Sequence, residues 1–247
     1  MFKLFRAALL AFVIPGAALA ADPVFSKAQR DEIVRVVREA LKADPSILRD
    51  AVTSLQSDDE AREAASTRSA IKSNAKALFN SFGDPEAGNP NGDVTVVEFY
   101  DPRCPYCRKM LPDIETMLRK DHGIRLVYKD IPVLGEGSVL ESKAILAAQK
   151  QGAYLKMQTA LMTDPAQPSA ELITAKAHEL GLDALKLNAD INSAAMRDRI
   201  RANLELSRAM KVTGTPTFVV GETVIPGMVD VGQLQAVIAE ARKHAEK

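Results

Sequence analysis

A single Cys-Pro-Tyr-Cys sequence constrains the fold of this chain more than any other feature. Cys104 and Cys107 are the only cysteines among the 247 residues, and they lie three positions apart. The preceding residues, Val94–Tyr100, are β-branched and aromatic, which predicts a central strand buried on both faces. A helix is predicted to open at Cys104, and a second strand follows over Ile124–Lys129. The sequence therefore predicts a right-handed β-α-β unit with both cysteines at the start of its helix.

The spacing of the two cysteines favours a chemical role over a structural one. Exported domains that are held together by disulfides distribute several cysteines along the chain, and a pair three positions apart cannot link distant segments. Backbone N–H groups and the helix dipole favour an anion at a helix N-terminus. We therefore expect an exposed Cys104 that attacks disulfides as a thiolate. Cys107, one turn deeper, is expected to be shielded, to stay a thiol and to resolve the mixed disulfide.

Two other uses of a cysteine pair are disfavoured by the rest of the sequence. Structural zinc needs about four nitrogen or sulfur ligands. Beyond the cysteines, the chain offers only His122, His178 and His244, which are single and lack ligand spacing. A cysteine hydrolase needs a histidine general base, and the sequence places none beside Cys104. No metal site is predicted.

The first twenty residues have the pattern of a secretory signal peptide. Lys3 and Arg6 precede a short apolar run, and Ala18-Leu19-Ala20 has the small-x-small form that signal peptidase cuts. We therefore expect cleavage after about Ala20 and a periplasmic location. The apolar run is too short to span a bilayer as a stable helix. The 32 basic and 32 acidic residues balance, which gives no reason to expect nucleic acid or an anionic membrane surface as a partner.

Residues 21–83 are predicted to form a helical segment. Ser26 and Gln29 form a capping box, Asp44-Pro45 restarts the helix, and Ser57-Asp-Asp-Glu60 is predicted to open a further helix. Apolar residues recur at helical spacing over residues 26–56 and form one stripe: Ile33, Val37, Ala40, Leu41, Ile47, Leu48, Ala51, Val52 and Leu55. Two short helices cannot bury such a stripe alone. The favoured interpretation is homo-oligomerisation through residues 26–56, and the alternative is that these helices fold back on the catalytic domain.

Residues 84–247 are predicted to form an α/β domain with a helical insert. Turn formers at residues 84–92 mark the entrance to the domain. Helical patterns then fill about 138–208, beginning with a capping box at Ser138-Val-Leu-Glu141. Strands return over Val212–Val220 and Val224–Ile225, and a last amphipathic helix covers Val231–Ala245. The order predicts an α/β sheet interrupted by a helical subdomain.

The cysteine unit resembles the thioredoxin fold. Pro112, eight residues after Cys104 and inside the helix, is similar to the proline that kinks the active-site helix of that fold. The sequence around Thr215-Pro216 resembles the loop that carries its cis-proline. The resemblance implies that Thr215 and Pro216 pack against the cysteines and, with Pro105 and Tyr106, bind a substrate peptide. It implies no cofactor beyond a redox-active disulfide between Cys104 and Cys107.

The helical insert and Glu98, six residues before Cys104, are similar to the DsbA-like branch of exported thiol–disulfide enzymes. A buried carboxyl group with a raised pKa suits proton transfer during exchange. Glu98 is therefore expected to be catalytic, as a proton shuttle for Cys107. The alternative is an edge residue that points to solvent. Lys129 on the neighbouring strand is a candidate partner for Glu98.

The helical segment before residue 83 has no place in a minimal DsbA-type oxidase, and the threonine before the cis-proline is similar to that of the oligomeric isomerases of the DsbC and DsbG type. The whole arrangement resembles the suppressor-of-copper-sensitivity protein C (ScsC) family. The resemblance implies a protein disulfide oxidoreductase that acts on client proteins with cysteines and is recharged by a membrane reductase or a quinone-linked oxidase. The isomerase or reductase direction is favoured, and the alternative is a DsbA-type dithiol oxidase. Alternatives of another class are a protein that binds Cu(I) through the two cysteines and an oligomeric chaperone whose cysteines are incidental.

Overall fold

The computed structural model describes residues 24–245, so the expected signal peptide at residues 1–20 lies outside the described residues. The chain divides into two compact units, one ending at residue 59 and the other beginning at residue 60. This division falls inside a helix, whereas the sequence pattern places a boundary at Gly83. Within residues 24–245, no helix combines the length and the apolar character that crossing a membrane requires.

The first unit consists of α1 (Lys27–Ala43) and the beginning of α2 (Ser46–Ser73). The capping box of α1 forms as expected, because Gln29 N donates to Ser26 Oγ (3.3 Å) and Ser26 N donates to Gln29 Oε1 (2.8 Å). Asp44 Oδ1 accepts from Ser46 N at the start of α2 (3.0 Å). No residue of α1 is buried. Most large apolar side chains of the stripe are exposed on both helices: Ile33, Val37, Ile47, Leu48, Val52 and Leu55.

The predicted capping box at Ser57–Glu60 is wrong, because α2 runs without a break from Ser46 to Ser73. The side chains around this point are all exposed. Serine and acidic residues are hydrated in an exposed helix interior, so the local pattern fits a continuous helix as well as a helix start. A short helix, α3 (Ala75–Phe79), follows.

A five-stranded sheet forms the centre of the second unit, in the order β1-β3-β2-β4-β5. Its strands are β1 (Glu86–Gly88), β2 (Val94–Tyr100), β3 (Ile124–Asp130), β4 (Thr217–Val220) and β5 (Thr223–Pro226). β2 and β3 are parallel and are joined by α4 (Pro105–Lys120), whereas the other pairs are antiparallel. The sequence pattern missed β1, which lies among the turn formers at 84–92. The predicted α/β class is confirmed.

A run of helices separates β3 from β4. These are α5 (Glu136–Gln149), α6 (Tyr154–Thr163), α7 (Ala170–Glu179), α8 (Ala184–Ile191) and α9 (Ala194–Ala209), and α10 (Val231–Ala245) follows β5. The predicted capping box at Ser138–Glu141 is wrong, because α5 already begins at Glu136. Ser138 Oγ instead donates to Asp101 Oδ1 (2.8 Å), and Glu141 is buried. These helices correspond to the helical subdomain that the sequence predicts.

The sheet has two apolar faces with different covers. On one face, Val96 and Tyr100 pack in a core with α4, the inserted helices and α10. On the other, Val97 and Phe99 pack with residues of α2, α3 and α9, including Ile71. Successive side chains of β2 point to opposite faces of the sheet, so even-numbered and odd-numbered residues contact different sets of helices. Residues of even number in β2 face the helix that carries the cysteines.

This parity overturns the expected contact between Lys129 and Glu98. In the parallel register, Glu98 lies opposite Tyr128, and Phe99 lies opposite Lys129. Lys129 is therefore on the face away from Glu98. Its Nζ donates to Ala77 O (2.6 Å) and pairs with the buried carboxylate of Asp84. Arg199 completes this ion cluster, with Nη1 2.6 Å from Asp84 Oδ1.

Candidate active site

The two cysteines lie in the first turn of α4, with Cys104 as the N-cap residue and Pro105 at the first helical position. Both are free thiols. Cys107 is 1% exposed, as expected for the shielded member of the pair. Cys104 is only 4% exposed, so the expectation of an exposed cysteine is wrong. Its thiol is turned towards the loop before β4, where Sγ donates to the carbonyl oxygen of Thr215 (3.2 Å).

The Thr215-Pro216 loop lies against Cys104, as the sequence resemblance implies. The Thr215–Pro216 peptide bond is cis. Pro216 is buried and Thr215 is half-buried. Gly227 N donates to the Pro216 carbonyl (2.8 Å), and Thr217 Oγ1 donates to the Gly214 carbonyl (2.8 Å). Hydrogen bonds on both sides of the proline thus hold this loop beside the cysteine.

Exposed apolar side chains flank the cysteine turn. Tyr106 is 56% exposed, and Pro105 is exposed beside it. Val133 and Leu134, in the loop between β3 and α5, are also more than half exposed. The sequence pattern gave no reason to select these two residues. We call Pro105, Tyr106, Val133 and Leu134 the apolar rim.

The carboxylate of Asp101 ties the rim to the cysteine turn. Oδ1 accepts from Arg103 N (2.7 Å) and from Ser138 Oγ (2.8 Å). Oδ2 accepts from the backbone N–H groups of Val133 (2.7 Å) and Leu134 (3.0 Å). Asp101 is fully buried, so these four donors replace the water that a carboxylate requires. The turn after β2 and the loop after β3 therefore share one anchor.

Arg108 fastens the same turn to the inserted helices. Its guanidinium donates to the carbonyl oxygens of Pro102 (2.7 Å), Asp164 (3.0 Å) and Leu161 (3.1 Å). Arg108 also lies 3.5 Å from the carboxyl group of Glu141. Burial raises the pKa of Glu141 to about 7, although the positive charges of Arg103 and Arg108 oppose that rise. The sequence pattern did not select Arg108, and it selected Glu141 only for a capping box, because most of their partners are distant in the chain.

Glu98 is buried on the face of β2 that α4 covers, so the alternative of an edge residue pointing to solvent is wrong. It is 3% exposed. Burial, with a smaller contribution from the charge of Asp130, raises the pKa of Glu98 to about 8. Burial, followed by the negative charge of Glu98, raises the pKa of the Cys107 thiol well above its ordinary value. The Glu98 carboxyl group therefore acts on the Cys107 thiol across the space between β2 and α4.

A hydrogen-bonded group of Tyr100, Asp130 and Tyr154 lies beside Glu98, and the sequence pattern did not predict it. Tyr100 OH donates to Asp130 Oδ1 (2.8 Å), and Tyr154 OH donates to Oδ2 (2.9 Å). The two hydroxyl oxygens are themselves 2.8 Å apart. Burial raises the pKa of Asp130 to about 7. The face of the sheet beneath α4 thus carries a buried carboxyl group in addition to Glu98.

His122, His178 and His244 do not form a metal-binding group with the two cysteines. Among residues 24–245, no group of three or more His, Cys, Asp or Glu side chains could hold a metal ion. Binding of Cu(I) by the two cysteines alone stays a prediction.

Two family profiles match the chain. The profile described as thioredoxin matches residues 80–240, which include the cysteines and the Thr215-Pro216 loop. The profile described as the copper resistance protein ScsC N-terminal domain matches residues 29–62. The second match covers α1 and the beginning of α2, close to the division at residue 59.

Solved structures and curated proteins show the same likeness. A thioredoxin-like oxidoreductase from Silicibacter pomeroyi is 39% identical, with a TM-score of 0.66, covering 68% of this chain and 97% of its own. Proteus mirabilis ScsC in a transitional conformation is 29% identical, with a TM-score of 0.66, covering 89% of this chain and 100% of its own. The thiol:disulfide interchange protein DsbA of Burkholderia cepacia is 28% identical, over 53% of this chain and 64% of its own length.

The first curated relatives are much longer proteins. The Na⁺/H⁺ antiporter NhaA 3 of Salinispora tropica is 29% identical over 167 residues, which are 64% of this chain. The present chain spans 25% of that antiporter's length. The similarity therefore concerns only a part of those proteins.

We expect the substitution Glu98→Gln to weaken the pH dependence of stability. A carboxyl group whose pKa is raised by folding keeps its proton in the folded chain after the unfolded chain has released it. The free energy of unfolding therefore falls as pH rises from the ordinary value of 4.5 to about 8. The slope is about 1.4 kcal/mol per pH unit for one such group. Urea unfolding of the reduced protein at several pH values measures the slope. Glu205→Gln, an exposed matched control, should leave it unchanged, and an equal slope in Glu98→Gln would contradict the expectation.

Proposed function

The chain belongs to the thioredoxin family, and from that premise we propose that it is a thiol–disulfide oxidoreductase that exchanges disulfides with client proteins through Cys104 and Cys107. One observation carries the proposal. Cys104 caps α4 beside the cis-proline loop, while Cys107 is buried within the influence of the ionisable Glu98. Similarity to a thioredoxin-like oxidoreductase and to a DsbA supports this activity. The signal-peptide pattern supports a periplasmic location.

In the first step, the thiolate of Cys104 attacks one sulfur of a client disulfide. A new S–S bond joins Cys104 to the client, and the client's second sulfur leaves as a thiolate. The N-terminal N–H groups of α4 favour the attacking anion. Once Cys104 has lost its proton, it no longer donates to the Thr215 carbonyl. The Thr215 carbonyl oxygen can then accept a hydrogen bond from a backbone N–H of the client. The client segment itself lies on the apolar rim.

In the second step, Cys107 resolves the mixed disulfide. Its raised pKa means that it needs a base, and Glu98 accepts the proton. With a pKa of about 8, about a tenth of the Glu98 side chains are ionised at neutral pH. The Cys107 thiolate attacks Cys104 Sγ and closes the Cys104–Cys107 disulfide. The client has then gained two electrons, and its disulfide has become two thiols. The reverse sequence oxidises a client.

The favoured direction is isomerase or reductase, with a DsbA-type dithiol oxidase as the alternative. In isomerisation, a thiol of the client displaces Cys104, and the pair stays reduced. A membrane reductase would then maintain the pair, whereas a quinone-linked oxidase would serve the alternative. The match of residues 29–62 to the ScsC N-terminal domain supports the isomerase direction, because an assembling segment could place several sites around one client.

The apolar stripe of the first unit supports self-association. Ile33, Val37, Leu48 and Leu55 are each close to half exposed or more. Ile33 and Val37 are four positions apart on α1, and Leu48 and Leu55 are seven positions apart on α2, so each pair lies on one face of its helix. Contiguous exposed apolar surface on a soluble helix is a feature of interaction sites. We propose that a second copy of this chain covers the stripe.

Cys107→Ser tests the exchange mechanism. The variant lacks the resolving thiol, so mixed disulfides between Cys104 and clients should accumulate. They are measured as bands on non-reducing gels that disappear on reduction. The double variant with Cys104→Ser is the control and should trap nothing. Absence of trapped species in Cys107→Ser would contradict the mechanism.

A Cys104→Ala variant that keeps the cellular function would instead favour an oligomeric chaperone.

The redox state of the pair in cells tests the direction. We expect both cysteines to be reduced at steady state, because an isomerase or reductase acts from the dithiol form. Alkylation of free thiols in intact cells, followed by gel analysis, measures this state. A predominantly oxidised pair would reject the isomerase direction and favour disulfide donation.

Substitutions in the stripe test assembly. The double variant Ile33→Asp, Val37→Asp should dissociate the oligomer, because buried unpaired carboxylates oppose association. Light scattering measures the mass. The dissociated protein should still reduce insulin but lose isomerase activity on a scrambled substrate. Lys42→Asp, on the face of α1 opposite Ile33, is the control and should remain assembled. A monomeric native protein would overturn the proposal.

A further inference from the structure

A groove runs along α5 beside the apolar rim. Its volume is about 580 Å³, which is in the range of pockets that bind ligands. One wall is the face of α5 that carries Glu136, Val139, Leu140 and Lys143. These residues stand at positions i, i+3, i+4 and i+7, so they lie on a single face of the helix. We call this depression the α5 groove.

The α5 groove is continuous with the apolar rim. Val133 belongs to both, because it is 55% exposed in the rim and also lines the groove. The N–H group of Val133 donates to Asp101 Oδ2 (2.7 Å), and Asp101 Oδ1 accepts from the N–H group of Arg103 (2.7 Å). Arg103 directly precedes Cys104, and α5 begins three residues after Val133. The end of the groove at the start of α5 therefore opens towards the cysteine turn.

Apolar side chains dominate the lining of the α5 groove. They come from the β3–α5 loop, from α5 and from α8: Pro132, Val133, Val139, Leu140 and Ile191. Val139 and Leu140 are half-buried, so part of each remains open to solvent. Covering apolar surface of this kind is favourable. An occupant of the groove is therefore expected to supply a large apolar side chain.

Two opposite charges stand at the ends of the groove face of α5. Glu136 lies in the first turn of α5, and Lys143 lies two turns later. Within residues 24–245, neither side chain forms an ion pair or a hydrogen bond. Seven residues of an α-helix span about 10 Å, and an extended chain covers that distance in about three residues. The two charges can therefore pair with one short extended segment.

We propose that the α5 groove binds the client segment next to the reacting cysteine, and that it selects for the order of charges in that segment. A basic residue nearer the client cysteine pairs with Glu136, at the end that opens towards Cys104. An acidic residue about three positions farther away pairs with Lys143. Apolar side chains between them cover Val139 and Leu140. The inference rests on the proposed exchange of disulfides with clients, and it names the sequences that this exchange favours.

Two peptides of equal composition test the order of charges. Each contains a cysteine, a glycine-serine spacer, two leucines, a lysine and a glutamate, and it is supplied as a dimer joined by one disulfide. In the first peptide the lysine lies between the spacer and the leucines and the glutamate beyond them, and in the second the two charges are exchanged. Both are made with the cysteine at either end, so that each chain direction is sampled.

The reduced protein should reduce the dimer of the first peptide about five times faster than that of the second, as two exposed ion pairs would provide. Each turnover oxidises the Cys104–Cys107 pair and yields two peptide thiols, which chromatography measures. The ratio of the rates should fall towards one in about 1 M salt, where charges are screened within about 3 Å. Equal rates at low salt would overturn the inference.

The double variant Glu136→Lys, Lys143→Glu should reverse the preference, because the charges of the groove then stand in the opposite order. Circular dichroism checks that the variant is folded. Lys186→Glu, exposed on α8 outside the groove, is the control and should keep the native preference. An unreversed preference in the double variant would overturn the inference. If the double variant instead changes the mass measured by light scattering, a second copy of the chain occupies the groove, and the inference is wrong.

A binding measurement separates this inference from the proposed function. Peptides with serine in place of cysteine cannot exchange disulfides. In NMR spectra, the first of them should shift the methyl signals of Val139 and Leu140 more than the second. Such shifts, in a protein that reduces neither peptide dimer, would support the groove and reject the proposed function. Reduction of both dimers at equal rates would reject the groove and leave the proposed function intact.

Discussion

The position of the cysteine pair depends on one buried carboxylate. Asp101 stands directly after β2 and accepts hydrogen bonds from four donors in three segments: the turn before Cys104, the loop after β3, and α5. Hydrogen bonds to a charged acceptor are roughly twice as strong as neutral ones, and a buried carboxylate without them would be very costly. The same group therefore fixes the entrance to α4 and the two backbone amides that carry Val133 and Leu134. The Cys104 sulfur and the apolar rim are positioned together because Asp101 holds the segments that carry both.

The two faces of the sheet solve the burial of ionisable groups in different ways. On the face that α2, α3 and α9 cover, Lys129 is compensated by Asp84, which Arg199 also contacts. On the face that α4 covers, Glu98 and Asp130 have no cationic partner within hydrogen-bonding distance, and burial raises the pKa of both towards or above neutrality. In the first arrangement, the contact between opposite charges opposes burial, which raises the pKa of Asp84 and lowers the pKa of Lys129. The second leaves protons that can move at neutral pH, and it lies on the side of the sheet where the cysteines are. Strand parity thus separates a structural ion cluster from a site suited to proton transfer.

Local patterns predicted the parts of this structure that local physics determines. β2 follows from its β-branched residues, and the helix start at Cys104 follows from its position after that strand. The capping boxes at Ser57 and Ser138 failed because the same residue types are tolerated inside a helix or engage distant groups. The contact between Lys129 and Glu98 could have been rejected from the sequence, since aligning the two predicted strands places Lys129 opposite Phe99 and on the other face. The hydrogen-bonded group of Tyr100, Asp130 and Tyr154 was beyond such reasoning, as were the contacts of Arg108 and Glu141 other than the bond from Arg108 to Pro102. These partners lie 24 to 56 positions apart, so no local signal marks them.

The hydrogen bonds of Arg108 have a consequence for how the sequence of such a protein can vary. A planar guanidinium with five donors can hold several carbonyl groups at once, which a lysine cannot do. Through it, the turn that presents Cys104 is fastened to Leu161 and Asp164 at the end of α6. The inserted helices consequently help to hold the cysteine turn in place, in addition to covering one face of the sheet. Mutations there can adjust how firmly the reactive turn is held while both cysteines and their strand stay untouched.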